Sequence, residues 1–296
     1  MLRVLLLIAT NLAVVLLASI TLSILGVGPW LSRAGIEYGS LIAFGLVFGF
    51  AGAFFSLAIS KWSAKRLMGV EVIQAPRDER EAWLVSTVQR LATTANIGMP
   101  EVGIFDSPAP NAFATGARRD HALVAVSTGL LAQLNRSQVE AVLGHEVTHV
   151  ANGDMITMTL LQGVINAFVF VLSRIVGNLV DRYVLRSDDQ EYRGPGIGYW
   201  VTTWIAELVL TLLGSMIVMW FSRRREFRAD AGGAHLAGRG SMIAALEELK
   251  RIETGELPQS MAAFGIAGGD RAGGLRRLFM SHPPLDERIA ALRAIT

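Results

Sequence analysis

Residues 142–154 read VLGHEVTHVANGD and set His145 and His149 four residues apart. On a helix that spacing puts both imidazoles on one face, where they can share a metal ion. Glu146 stands beside them and completes an HExxH pattern. Zinc held by such a pair lowers the pKa of its water to about 7, and the glutamate takes that water's proton as it attacks a carbonyl carbon. The chemistry is metal-assisted hydrolysis. Two imidazoles do not complete the site, because a catalytic zinc takes three protein ligands and a water. The next suitable residues lie in SRRREFRADAGG, 222–233, where Glu226 and Asp230 are four apart and share a helix face. Glu226 is the expected third ligand. Asp230 is expected to accept a hydrogen bond from the far ring nitrogen of His145 and so fix its tautomer.

The elements that must bring these segments together are set by hydropathy. Of the 296 residues, 52% are hydrophobic, and the mean hydropathy is +0.43. That excess is concentrated in four blocks, near 4–26, 40–60, 157–179 and 199–221, each with about the 20 residues a bilayer crossing needs. The first is longer than the apolar core of a signal peptide and has no evident cleavage site, so it reads as retained. Blocks three and four carry Asn166, Arg174, Asn178 and Glu207, and Arg174 and Glu207 fall at matching depths for an ion pair within an antiparallel hairpin. An out-and-back hairpin returns the chain to its starting side, so His149 and Glu226 can meet although 77 residues separate them. The chain has no cysteine, which excludes disulfides and thiolate metal sites. A net charge of +2, with no basic run interleaved with aromatics, excludes a nucleic-acid surface.

Basic residues follow block two (Lys61, Lys65, Arg66) and block four (Arg223, Arg224, Arg225, Arg228), whereas only Arg33 separates blocks one and two. The positive-inside rule then places 61–156, 222–296 and both termini in the cytoplasm. All four tyrosines, with Trp30 and Trp200, fall at the opposite interface. Short strands are predicted at 70–73, 101–105, 112–115 and 122–126, with a helix from Asp78 to about Ala95. Ser137 to Glu140 reads as a capping box for the helix with the two histidines, and Ser241 as the cap of a later one. HPPLDERIAALRAI opens a last helix with proline in its first turn. The expected fold is a mainly α membrane protein, with four transmembrane helices and a cytosolic α+β zincin-like metalloprotease domain holding a small edge sheet. Its parts are 1–60, transmembrane helices one and two; 61–156, the protease part with the HExxH helix; 157–221, the transmembrane hairpin; and 222–296, a helical part with the third ligand.

HEVTH, EFRAD, NAFATG at 111–116, ALVAVSTGLL at 122–131 and SHPPLDERI at 281–289 together resemble the HtpX family of heat-shock membrane proteases, within the wider family of the CAAX prenyl endoprotease. The likeness covers essentially the whole chain. It implies a zinc-dependent endopeptidase of the bacterial inner membrane, with one Zn2+ per chain and an active site on the cytosolic side. Its partners would be the bilayer and misfolded or damaged membrane proteins. In that role Asn111, Ala112, Phe113, Ala114 and Thr115 form a strand whose free edge can pair with an extended substrate. The tyrosines lie too far away to stabilise the oxyanion. The resemblance points to the His-Pro turn at the active site, which makes His282 the expected donor and Arg288 the second choice. The alternatives are a zinc transporter, whose ligands belong near the bilayer midplane on broken helices, and a non-catalytic zinc-bound scaffold, which has no use for Glu146.

Overall fold

The computed structural model describes residues 38–185, 197–253 and 274–295. The first apolar block, 4–26, lies outside them. The chain divides into two compact units: 38–55 with Thr159–Ile217, and 56–158 with the residues from Val218 onward.

The second unit is built on a four-stranded mixed sheet, β1 Glu71–Val72, β2 Glu101–Phe105, β3 Ala112–Thr115 and β4 Leu123–Ser127, in the order β1-β2-β4-β3. β2 and β4 run parallel; the outer pairs are antiparallel. β4 is buried along its whole length, as a central strand covered on both faces should be. β3 is an edge strand, with Ala112 and Ala114 facing the core and Phe113 and Thr115 half-buried. The first strand is shorter than 70–73: the ladder pairs Glu71 with Ile104 and Val72 with Gly103, and beyond it Ile73 N donates to Val102 O at 2.9 Å.

Helices α2 Glu79–Thr94, α3 Thr128–Gln133 and α4 Arg136–Asn152 pack on the sheet, α7 Arg239–Glu253 packs on α4, and α8 Leu285–Ala294 packs on α7. The i, i+4, i+7 pattern of Leu84, Val88 and Leu91 buries one face of α2 completely. Each of these side chains contributes about 1.5–3 kcal/mol. Leu143 and Val147 of α4, Leu246 and Leu249 of α7 and Leu285 of α8 fill the same core. Truncating Leu143 to alanine would cost about 2–5 kcal/mol.

Three helix starts differ from the sequence reading. The box that opens α4 is Asn135 with Gln138, not Ser137 with Glu140: the Asn135 side chain accepts from Gln138 N, and Gln138 reaches back to Asn135 N. Ser137 lies inside the first turn and donates to Asn135 Oδ1. Ser241 is likewise inside α7, which begins directly after Gly238, a residue at φ 96. Pro284 occupies the cap position of α8, so both prolines precede the helix rather than entering its first turn.

The first unit comprises parts of three helices, α1 Tyr38–Leu67, α5 Asp154–Val180 and α6 Ile197–Ala237, all long and apolar enough to cross a membrane. α1 and α5 meet through small residues. A Cβ on Gly49 would stand 2.5 Å from Ala167 N, and one on Gly163 would meet Phe50. Arg174 lies over the Phe170 ring at 3.4 Å, with its Nη1 3.7 Å from Glu207 Oε2. Gln162 donates to Asn166, and Asn166 to Gly49 O.

Candidate active site

Two helices of the second unit carry the site. α4 holds His145, Glu146 and His149 and ends at Gly153, whose left-handed φ 69, ψ 35 suits glycine. The last part of α6, beyond its apolar stretch, holds Glu226 and Asp230 and crosses α4 at close range. A Cβ on Gly233 would stand 2.9 Å from His145 N, and one on Gly232 would stand 2.3 Å from Thr148 Cγ2. The Gly-Gly pair therefore lets the carboxylates of α6 reach the imidazoles of α4.

His145 Nε2 and His149 Nε2 are 3.1 Å apart, and each faces an oxygen of Glu226, at 3.4 and 3.3 Å. Bonds of about 2.0–2.1 Å from a tetrahedral zinc place neighbouring ligands about 3.3 Å apart. The two Nε2 atoms face different oxygens of one carboxylate, Oε2 for His145 and Oε1 for His149, at separations close to that figure, and all three residues are buried. A nitrogen, nitrogen, oxygen donor set suits zinc, so the residues fit the ion.

Each imidazole is held from behind by a carboxylate. His145 Nδ1 is 2.9 Å from Asp230 Oδ1, and His149 Nδ1 is 2.6 Å from Asp154 Oδ2. Asp230 is in turn gripped by Arg288, which is 0% exposed. Burial disfavours the imidazolium of His145, but hydrogen bonds to Asp230 and Glu226 outweigh it and raise the pKa to about 10. Burial also works against the Asp230 carboxylate, yet the charge of Arg288 and its hydrogen bonds hold it at about 2. Glu226 stays well below the ordinary carboxylate range against its burial, through His282 and hydrogen bonds from the imidazoles.

Glu146 is 5% exposed. His282 comes from the turn before α8 and puts Nδ1 2.8 Å from Glu226 Oε2. Arg223, one turn before Glu226, steadies that turn by donating to Met280 O at 2.7 Å. β3 packs beside α4. The chain leaving β3 at Gly116–Arg119 lines a small cavity together with His149, Val150 and Gly153.

A family model described as Peptidase family M48 matches residues 78–296. The chain belongs to peptidase family M48. Its M48 relatives include a "Protease HtpX homolog" of Thiobacillus denitrificans, 59% identical over 293 residues and covering 99% of both chains. The "Protease HtpX" of Nitrosococcus oceani is 58% identical over 294 residues, covering 99% of this chain and 98% of that one. The crystal structure of S. mikatae Ste24p matches with a TM-score of 0.63 at 18% identity, over 97% of this chain and 66% of that one. At that identity it shows a shared fold. With its apolar helices and its His-His-Glu group, this M48 chain is a membrane metalloprotease.

The structure brings His145, His149, Glu226, Asp230 and His282 together, with Glu146 buried next to His145 on α4 and β3 alongside that helix. Arg288, the second choice for an oxyanion donor, lies instead behind the ligands, sealed against Asp230. Two contributors were missed by the sequence reading. Asp154 follows HExxH by too few residues to look separate from it, and the signal is the glycine just before it, which ends α4 and turns the chain back. Arg288 gave no local signal as a clamp, because its partner is 58 residues away.

Proposed function

We propose that this M48 protease is a zinc-dependent endopeptidase of the bacterial inner membrane, cleaving misfolded or damaged membrane proteins on the cytosolic side. The observation that carries the zinc reading is the buried group of His145, His149 and Glu226, whose two Nε2 atoms converge on one carboxylate at 3.3–3.4 Å. A zinc ion bound there supplies Lewis acidity, which activates a water and polarises the scissile carbonyl. Glu146 accepts the proton of the attacking water at its carboxylate and returns it to the leaving amine. His282 gives Nδ1 to Glu226 and donates through Nε2 to the developing oxyanion. Residues 111–115 pair their free edge with the substrate backbone. Such pairing reads main chain rather than side chains and suits a broad range of unfolded segments.

The membrane arrangement we propose is four crossings with both termini cytosolic, divided at 1–60, 61–156, 157–221 and 222–296. A transporter would place its ligands within the membrane-crossing unit. All three lie in the other unit, which favours hydrolysis. The test is cleavage of an unfolded protein by the purified chain in detergent. Activity should vanish with a chelator and return with zinc. Glu226→Ala should lose the metal by elemental analysis and stay in the membrane; full zinc retention would move the third ligand elsewhere.

A further inference from the structure

The HExxH pattern does not include the residue that holds His149. Asp154 Oδ2 lies 2.6 Å from His149 Nδ1, and both residues are buried. On an unbroken helix, a residue five positions on would point about 140° away. Gly153, at φ 69 and ψ 35, ends α4 and turns the chain so that Asp154, the first residue of α5, comes back against the ring. Behind it stands Arg225. Its Nη1 is 3.9 Å from the same Oδ2, and its Nη2 donates to Ser222 Oγ at 3.3 Å. Arg225 is 9% exposed, and its Nε is buried with no hydrogen-bond partner among the described residues. A guanidinium is thus kept out of water beside a carboxylate whose nearer contact is the imidazole. This repeats, with different residues, the order arginine, aspartate, histidine found at His145.

We propose that Asp154, backed by Arg225, is a positioning residue for the metal ligand His149. The carboxylate accepts the hydrogen bond from Nδ1–H, which leaves Nε2 with its lone pair directed toward His145 Nε2 and Glu226. It also fixes the rotation of the ring. Arg225 stands behind the carboxylate as its counter-charge, with Nη1 3.9 Å from Oδ2. The two relays hold the two imidazoles independently: Asp230 and Arg288 come from α6 and α8, and Asp154 and Arg225 from α5 and α6. An asparagine at 154 would offer a neutral and weaker acceptor. Metal affinity falls by about 10- to 100-fold when such partners are removed elsewhere. The inference rests on reading His145, His149 and Glu226 as metal ligands.

The test uses the full chain in detergent, stripped of metal and titrated with zinc against a chromophoric chelator. Asp154→Asn should weaken zinc binding by about 10- to 100-fold. Asp154→Glu should recover part of that loss, and Arg225→Gln should weaken binding by a smaller factor. The melting temperature of the metal-free Asp154→Asn chain should stay near that of the parent, and cobalt substituted for zinc should give a shifted absorption band, since the ligand ring has moved. Equal zinc affinity in Asp154→Asn and the parent overturns the positioning role alone. A loss of affinity that follows a lowered metal-free melting temperature, with no recovery in Asp154→Glu, also overturns it, because the residue then only supports the fold. A parent chain that takes up no zinc removes this inference and the proposed function together.

Discussion

Arg288 grips Asp230 with two hydrogen bonds, Nε to Oδ2 at 2.7 Å and Nη2 to Oδ1 at 2.6 Å, and Asp230 Oδ1 also meets Nδ1 of His145. The last described helix therefore reaches His145 through one carboxylate. Breaking a buried pair leaves a lone charge and costs about 3–5 kcal/mol. Arg288→Met should lower the melting temperature of the metal-free chain accordingly. Arg288→Lys keeps the charge but loses the paired hydrogen bonds. It should fold and bind zinc about tenfold more weakly by competition titration. Lysine matching arginine in both readouts would show that the two-pronged grip is unimportant.

The pH dependence of the metal-free chain follows from the same group of residues. His145 has its pKa raised from 6.5 to about 10, so its contribution is complete below pH 6.5 and is lost as pH rises through about 10. Asp230 is lowered from 3.8 to about 2, so its contribution is present above pH 3.8 and is lost as pH falls toward 2. Melting temperature should therefore decline above pH 6.5 in the metal-free chain. With zinc bound, the ion replaces the proton on His145, and the alkaline decline should be much smaller. Identical alkaline profiles with and without zinc would contradict this.

His282 touches Glu226 and sits at the open side of the ligands, with 23% of its side chain exposed. His282→Ala should lower turnover by about a hundredfold, with zinc content near one per chain. A fall in activity that only follows lost stability would make His282 a structural residue.

Spacings of four on one helix revealed His145 with His149 and Glu226 with Asp230, because helical periodicity alone decides which side chains share a face. The strands of the small sheet were legible as short runs of strand-forming residues, and β3 proved to lie at the edge. Helix starts were less legible. Asn135 with Gln138 and Ser137 with Glu140 satisfy the same pattern, and only the extended backbone at Asn135 decides between them. Asp154 was hidden because its role depends on the left-handed turn at Gly153, and Arg288 because its role depends on packing between distant helices.

Within the membrane-crossing unit, Arg174 and Glu207 form the ion pair that their matching depths suggest, at 3.7 Å. Unpaired charges in a bilayer cost on the order of a few kcal/mol each. Arg174→Glu and Glu207→Arg should each lower thermal stability in detergent or bilayers, and the double reversal should restore most of it. Additive losses would show that the two charges act separately.

The central claim is that Glu146 acts as the base at a site whose metal is held by other residues. Glu146→Gln keeps the shape of the side chain and removes the proton acceptor. The most direct measurement pairs zinc content with cleavage of an unfolded protein by this variant and its parent. The expected result is one zinc per chain in both, with turnover reduced by about 10²- to 10⁴-fold in the variant. Cleavage at the parent rate by a zinc-loaded Glu146→Gln chain would contradict the mechanism.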